Sequence, residues 1–389
     1  MSDVSALAGP VPLARALIRC ASVTPADDGA QAVLADALRG IGFDVTALPF
    51  GDASAPTPNL FARIGSGAPH VCFAGHTDVV PPGDSLWQSP PFDGAIVDGV
   101  LYGRGACDMK GAIAAFVAAA ARHLAGAGAS GRTGTISLLI TGDEEGPALN
   151  GTVRVLDWMA ANGHIPDFCL VGEPTNAGAL GETIKIGRRG SLNAHIVVEG
   201  VQGHVAYPHR ADNPVHRLVA LLGELTDATL DGGTAFFEPS SLQVTSIDVG
   251  NPATNVIPAR AEARLNIRFN DLHTGPSLSR FLSESCARHP GASVDIRISG
   301  EAFRTEPGPE IDALQAAIRA RTGRTATLDT GGGTSDARFI ARHCAVAEFG
   351  LVGQSMHMTN ENVSVSDLEL LSEIYLDLLD RLLPAQVST

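Results

Sequence analysis

Apolar residues recur with two different spacings in the first part of the chain, up to Gly181. Residues 30–39 and 112–125 carry the three- and four-residue spacing of amphipathic helices, and the second segment is rich in alanine. Residues 71–73 and 135–141 are short apolar runs, which are typical of strands buried on both faces. The alternation of helices with buried strands predicts an α/β fold in which helices cover a sheet.

The pattern changes after Gly181 to strands in which apolar and polar residues alternate, as in a sheet with one exposed face. Between these strands lie two helical segments, residues 214–226 and 276–289. The alternating segments are residues 183–187, 192–199, 242–249, 261–269 and 294–298. This order of elements predicts a small α+β sandwich that is inserted as one unit.

The α/β pattern returns at Glu310 and continues to a closing amphipathic helix over residues 363–383. A chain of 389 residues is also too long for one ordinary hydrophobic core. We therefore predict one domain that combines residues 1–181 with residues 300–389, and a second domain, residues 182–299, inserted between them.

Composition and charge exclude several classes of partner. The net charge is -15, from 42 acidic and 27 basic residues, so we expect binding neither to nucleic acid nor to an anionic membrane. We find no apolar run of membrane-spanning length and no signal peptide, so the expected location is the cytoplasm. The six cysteines are scattered without a Cys-x-x-Cys pair, and we expect them to be buried small residues.

Histidine and carboxylate residues follow the predicted strands at the points where those strands end. The set consists of His76 with Asp78, Asp108, Glu144 with Glu145, and Glu173. Each one alone is explained by a capped loop, a helix cap or a solvated acidic turn. Four such strand ends in succession are hard to assign to surface chemistry, and this edge of an α/β sheet is where ligands bind.

Two histidines and three carboxylates suit two divalent ions that share one carboxylate. The candidate ligands are His76, Asp108, Glu145, Glu173 and His357. Mixed nitrogen and oxygen ligands favour zinc, with cobalt or manganese as substitutes. Ions roughly 3.5–4 Å apart can hold a bridging water and a polarised carbonyl. Only one acid of the adjacent pair at 144 and 145 need bind metal, and the other can transfer the proton, which predicts amide hydrolysis.

The motifs around these residues resemble those of the M20 family of co-catalytic metallopeptidases. The family pattern is Gly-His-x-Asp, Gly-Arg-Gly-x-x-Asp-Met-Lys-Gly, Asp-Glu-Glu-Gly, Gly-Glu-Pro and a late histidine. These motifs occur in the same order at residues 75–78, 103–111, 143–146 and 172–174 and at His357, so the resemblance covers essentially the whole chain. It implies a mixed-sheet α/β/α catalytic domain and an inserted ferredoxin-like domain that forms a homodimer.

The resemblance also implies a role for each candidate ligand. Asp108 is expected to bridge both ions. His76 and Glu173 complete the protein ligands of one ion, and Glu145 and His357 complete those of the other. The peptide bond that follows Asp108 is expected to be cis.

Three further residues are expected to take part in the reaction. Asp78 orients His76, as metal-bound imidazoles usually require. Glu144 is the general base and later the acid. His204, on the inserted domain, is expected to reach the partner subunit's site and to stabilise the tetrahedral oxyanion.

A closer resemblance to one type of enzyme within this family is carried by residues 73–84, 187–191, 255–258, 331–336 and 348–350. This closer resemblance implies a small-molecule substrate, N-succinyl-LL-2,6-diaminopimelate, which is cleaved to succinate and LL-2,6-diaminopimelate in bacterial lysine and diaminopimelate biosynthesis. Guanidinium groups suit the carboxylates of such a substrate because they can bind bidentately. The residues expected to hold its carboxylates and amine are Arg188, Ser191, Tyr207, Asn255, Arg268 and Thr334.

Other interpretations of the motifs remain open. Another amidase of the same family, such as an acetylornithine deacetylase or an aminoacylase, would share the metal ligands, although the glycine-rich loop at residues 331–336 argues against it. A non-catalytic binding protein on the same scaffold would not need Glu144. A structural oligomer would gain nothing from the clustered acids.

Overall fold

The computed structural model describes residues 9–126 and 133–384. Within these residues the chain forms two compact units, and each has its own hydrophobic core. Of the described residues, the first unit takes those up to Ile186, Thr305–Asp329 and those from Ser335 onward, and the second takes Gly187–Arg304 and Thr330–Thr334.

Helices and strands are interspersed along the described part of the chain. The helices are α1 (Val11–Ile18), α2 (Ala30–Gly40), α3 (Lys110–Ala125), α4 (Thr152–Ala161), α5 (Pro214–Asp227), α6 (Gly275–Ala287), α7 (Pro309–Thr322), α8 (Ala337–Ile340) and α9 (Val365–Leu382). The strands are β1 (Asp44–Ala47), β2 (Leu60–Ser66), β3 (His70–His76), β4 (Ile96–Val97), β5 (Val100–Tyr102), β6 (Gly134–Thr141), β7 (Phe168–Val171), β8 (Thr183–Lys185), β9 (Gly187–Arg188), β10 (Gly190–Glu199), β11 (Gly203–His204), β12 (Ser241–Asp248), β13 (Val256–Ile257), β14 (Arg260–Phe269), β15 (Ala292–Gly300), β16 (Phe303–Arg304), β17 (Thr327–Asp329), β18 (Ala345–Glu348) and β19 (Asn362–Ser364).

The first unit is built on an eight-stranded mixed sheet with the strand order β1-β2-β6-β3-β7-β18-β8-β17. Its central neighbours β6, β3, β7 and β18 run parallel, whereas β2 is antiparallel to both β1 and β6. Strands β3 and β6 are buried along almost their whole length, as their apolar sequences predict. Because β3, β6 and β7 are parallel, their carboxyl ends lie on one edge of the sheet.

Helix α3 packs between this sheet and helix α9, and nearly every residue on its first three turns is buried. Small alanine side chains allow this close approach on all sides. Phe73 of β3 stacks on Phe116 of α3 with ring centroids 4.4 Å apart, and the Tyr375 ring of α9 meets both at 5.8 Å. The Tyr375 hydroxyl donates a hydrogen bond of 2.6 Å to the carbonyl oxygen of Phe349, just beyond β18.

The second unit contains a four-stranded antiparallel sheet with the order β12-β14-β10-β15, and α5 and α6 cover one face. Buried and exposed residues alternate along β14, so one face of the sheet supplies the core. The predicted fold class, an α/β fold with a mixed sheet and an additional α+β sandwich, is confirmed.

One predicted strand belongs to a different sheet from the one expected. Residues 183–187 were assigned to the inserted sandwich, but β8 pairs in parallel with β17 in the large sheet. The compact second unit accordingly begins at Gly187 and ends its main segment at Arg304, slightly later than the predicted limits of 182–299. Alternation alone does not identify a strand's partner, because pairing depends on residues far away in the chain. The interpretation of this unit as an inserted domain stays a prediction.

Helix α4 and the short strand β4 are among the elements that the sequence pattern does not predict. Helix α4 buries Val155, Leu156 and Met159, but its N-cap is Gly151 and no side chain caps it, so the usual start signal is missing. Strand β4 is only two residues long, and both residues are exposed.

The described residues contain no helix that is long and apolar enough to cross a membrane. All six cysteines are free, and all but Cys344 are buried, as expected from their spacing.

The hydrogen bond from Tyr375 provides a test of how α9 is fixed to the sheet. The change Tyr375→Phe leaves the buried Phe349 carbonyl without this donor, and we expect the free energy of unfolding to fall by about 1–3 kcal/mol. Urea denaturation followed by circular dichroism measures this. Tyr102→Phe, the same change at a half-buried ring, should alter the value by less than about 0.5 kcal/mol. Equal effects of the two changes on the free energy of unfolding would show that the Tyr375 hydrogen bond does not fix α9 to the sheet.

Candidate metal centre

The sheet brings the candidate ligands of the first unit together at its carboxyl edge. Each comes from a different strand end or loop: His76 ends β3, Asp108 precedes α3, Glu144 and Glu145 follow β6, Glu173 follows β7, and His357 lies between β18 and β19. Adjacent parallel strands place such residues close in space although they are distant in sequence. The peptide bond between Asp108 and Met109 is cis, as expected.

The buried carboxylate of Asp108 lies between the two histidines. Its Oδ1 is 3.3 Å from His76 Nε2, and its Oδ2 is 3.1 Å from His357 Nε2. Each carboxylate oxygen therefore faces a different imidazole, which is the arrangement required of a carboxylate shared by two ions.

Two further acids extend this arrangement on either side. Glu173 Oε1 lies 3.8 Å from His76 Nε2, and Glu145 Oε1 lies 2.8 Å from His357 Nε2. The cluster thus divides into a His76 side and a His357 side that meet at Asp108.

Glu144 lies at the same centre as the candidate ligands. Oxygen and nitrogen atoms of His76, Glu144 and Glu173 lie within 4.8 Å of one another, and so do those of His76, Asp108 and Glu145. The Glu144 carboxylate is therefore within reach of any group held between these residues.

Asp78 connects two parts of the cluster. Its backbone carbonyl oxygen accepts a hydrogen bond of 2.8 Å from His76 Nδ1, which leaves Nε2 directed at Asp108. Its carboxylate accepts from the backbone N–H groups of Glu145 at 3.0 Å and Glu144 at 3.3 Å. Burial raises the pKa of Asp78 to about 6, although His76 and these N–H donors act in the opposite direction.

The protonation of the cluster shows how strongly its acids require a counter-charge. Burial and the nearby Glu173 raise the pKa of Glu144 well above its usual range. Burial alone would lower the pKa of His76, but Asp108, Glu144 and Glu173 raise it well above normal. Hydrogen bonds to Asp108 and Glu145 raise the pKa of His357 to about 10. The shifts of both histidines have the same origin, which is the concentration of carboxylates around them.

The residues present fit divalent metal ions. Among the described residues, His76 Nε2 and Asp108 Oδ1 are buried atoms with no hydrogen-bond partner, although each is a strong ligand atom. The donor set of imidazole nitrogens and carboxylate oxygens suits zinc, cobalt or manganese. A divalent ion would satisfy these atoms and offset the charge of the acids.

Four of the predicted substrate-binding residues occupy one part of the second unit. Ser191 on β10 lies opposite Arg268 on β14, and the Ser191 side chain is buried. Arg188 Nη1 donates to the carbonyl oxygen of Gly331 at 3.3 Å, which connects Arg188 to the segment that contains Thr334.

The other three residues predicted in this unit lie around strands β11 and β13. The rings of His204 and Tyr207 have centroids 5.7 Å apart, and both residues are exposed. The backbone carbonyl of Asn255 accepts from the N–H of Val205 at 3.1 Å, which holds the Asn255 loop beside His204.

Sequence reasoning missed Glu361, whose side chain is fully buried and accepts hydrogen bonds from the loop that carries Asp108. Glu361 lies in a polar segment without periodic spacing, so no local pattern distinguishes it from a surface acid.

Comparison with known proteins identifies the family. The model of the family described as "Peptidase family M20/M25/M40" matches residues 72–381. The chain therefore belongs to this family, and the resemblance drawn from its motifs is confirmed.

The succinyl-diaminopimelate desuccinylase of Gluconacetobacter diazotrophicus is 68% identical over 374 residues, which are 95% of this chain and 96% of that protein. The desuccinylase of Acidiphilium cryptum is 64% identical, over 96% of this chain and 98% of that protein.

Solved structures of distant relatives share the fold. Aminopeptidase PepT from Bacillus cereus superposes with a TM-score of 0.78 at 18% identity, covering 98% of this chain and 99% of that chain. The YXEP protein of Bacillus subtilis, described as a dinuclear metal binding peptidase from the M20 family, gives a TM-score of 0.69 at 16% identity, covering 97% and 98%.

The raised pKa of His357 gives metal binding a definite pH dependence. The imidazole, with a pKa of about 10, must lose its proton before Nε2 can bind an ion. Apparent zinc affinity should therefore rise with pH, by up to about tenfold per pH unit for each proton released. Competition with a chromophoric chelator at several pH values between about 6 and 8 measures this. A zinc affinity that does not change over this pH range would contradict the assignment of His357 as a metal ligand.

Proposed function

We propose that this protein is a metal-dependent amide hydrolase that cleaves N-succinyl-LL-2,6-diaminopimelate to succinate and LL-2,6-diaminopimelate. The observation that carries the proposal is the Asp108 carboxylate, whose two oxygens face His76 and His357 separately. The choice of substrate is supported by relatives of up to 68% identity that are named succinyl-diaminopimelate desuccinylase.

The proposed metal site holds two divalent ions, most simply zinc. Asp108 would be shared by both ions, with His76 and Glu173 holding one and Glu145 and His357 holding the other, and the distances between these groups support this assignment. When bound, such ions polarise the amide carbonyl and lower the pKa of water.

Glu144 is proposed to take the proton of the attacking water and to pass it to the leaving amine. Its burial and the surrounding acids already make its carboxylate a stronger base than an exposed glutamate. Asp78 supports this role because its carboxylate holds the backbone N–H of Glu144.

The second unit is proposed to bind the substrate and a second copy of the chain. Guanidinium groups of Arg188 and Arg268 would pair with the substrate carboxylates. Ser191, Tyr207, Asn255 and Thr334 would provide further hydrogen bonds. His204 is exposed, as a residue must be if it is to reach the partner subunit's site and stabilise the oxyanion.

The pathway and the compartment follow from the proposed reaction. Release of LL-2,6-diaminopimelate would place the enzyme in lysine and diaminopimelate biosynthesis. Its location in the cytoplasm and its assembly as a homodimer stay predictions.

The proton-transfer role of Glu144 is tested by Glu144→Gln. The amide keeps the shape of the side chain but cannot accept the proton, so kcat should fall by about 100- to 10,000-fold. The variant should still bind two zinc ions per chain, measured by elemental analysis after dialysis. Glu369→Gln changes an exposed acid on α9 and should leave both values unaltered. Near-normal turnover by zinc-loaded Glu144→Gln would show that another group is the base.

The substrate and the metal requirement are tested together with metal-stripped protein. Succinate release from N-succinyl-LL-2,6-diaminopimelate should be absent until zinc is added, and N-acetylornithine should not be hydrolysed under the same conditions. Turnover of the acetyl substrate alone would retain the amide hydrolase but replace its substrate. Turnover of neither would favour a binding protein or another acyl substrate.

A further inference from the structure

The Glu361 carboxylate accepts hydrogen bonds from four residues of the loop that leads to Asp108. Its Oε1 accepts from the backbone N–H groups of Cys107 at 3.0 Å and Asp108 at 3.1 Å. Its Oε2 accepts from the N–H of Gly105 at 3.0 Å and from Arg104 Nη1 at 2.8 Å. The Glu361 side chain has no exposed surface, so these bonds are shielded from bulk solvent.

These contacts require a carboxylate at position 361. Three N–H groups and one guanidinium N–H point at two oxygens, and an ionised carboxylate is the side chain that accepts at both of its atoms. An amide in the same place would direct two N–H donors at these groups. The Arg104 guanidinium is also buried and offsets the charge of the acid.

Arg104 also connects this network to the backbone of Pro81 and of His357. Its Nη2 donates to the carbonyl oxygens of Pro81 at 3.2 Å and His357 at 3.5 Å. Pro81 lies shortly after Asp78, and His357 has a left-handed backbone with a φ of 61°. Because a residue with a side chain adopts this conformation at an energetic cost, neighbouring contacts must hold it.

We infer that Glu361, through Arg104 and the loop at residues 104–108, is a positioning residue that sets Asp108 and His357 in place before a metal ion arrives. The inference rests on the proposed metal site. Glu361 itself contacts neither the ions nor the substrate. It acts through the backbone on both sides of the proposed bridge, so that the ligand atoms need not reorganise when ions bind.

A purely structural role would have a different signature. A buried ion pair that only holds two loops together would affect the stability of the metal-free protein without altering ion affinity in the protein that remains folded. Positioning of the ligands predicts a change in ion affinity, and in the electronic spectrum of a bound ion, in folded protein.

The first test is Glu361→Gln in the full-length protein. We expect zinc affinity, measured by chelator competition, to fall by about 10- to 100-fold. The visible absorption spectrum of the cobalt-substituted protein should change in intensity or position. At saturating zinc, kcat should fall while KM stays within about twofold, because the loop positions ligands and does not bind substrate. Glu369→Gln is the matched control and should retain wild-type affinity, spectrum and kcat.

The second variant is Arg104→Lys, which keeps a buried positive charge but loses the fork that reaches Glu361, Pro81 and His357. It should also weaken zinc binding. If Glu361→Gln does not fold, Arg104→Lys is the variant that tests whether this network positions the metal ligands. Wild-type zinc affinity and an unchanged cobalt spectrum in the folded variant would overturn the inference. Failure of the wild-type protein itself to bind zinc or to release succinate would overturn the proposed function instead, so the two failures are distinguishable.

Discussion

The structure depends on one electrostatic constraint, which is the burial of several carboxylates beside one another at the edge of the large sheet. Asp108, Glu144, Glu145 and Glu173 lie around two imidazoles, and Asp108 is almost fully buried. Like charges in a site of low polarity repel strongly unless cations offset them. The surrounding acids accordingly raise the pKa of both imidazoles, and burial together with Glu173 raises the pKa of Glu144. The geometry is therefore that of a site completed by divalent cations.

The fold meets this constraint by supplying each charged group from a rigid, separate element. Parallel strands β3, β6 and β7 end at the same edge of the sheet, and each one leads into a loop that carries a candidate ligand. The sheet and α3 are densely packed, and their aromatic contacts fix the strands that carry these loops. Around the ligands lies a layer of oriented acceptors, in which Asp78 holds the Glu144–Glu145 turn and Glu361 holds the Asp108 loop. A ligand constellation is held accurately when such a layer fixes its backbone.

The sequence predicted the parts of the fold and site that are encoded locally. Apolar runs located β3 and β6, and the motifs located the histidines and the acids Glu144, Glu145 and Glu173 that surround Asp108. What it did not predict depends on distant parts of the chain. Strand β8 has the alternation of an exposed sheet, yet its partner is β17. Glu361 is a surface-like acid in sequence, and its burial follows only from contacts with a loop about 250 positions earlier.

The central claim is that two divalent ions share the Asp108 carboxylate between the two imidazoles. Anomalous diffraction from crystals of the zinc-loaded protein, collected on both sides of the zinc absorption edge, tests it most directly. The claim predicts two anomalous peaks per chain, one beside His76 Nε2 and Glu173 and the other beside His357 Nε2 and Glu145, with Asp108 between them. A single peak, or peaks away from Asp108, would contradict it.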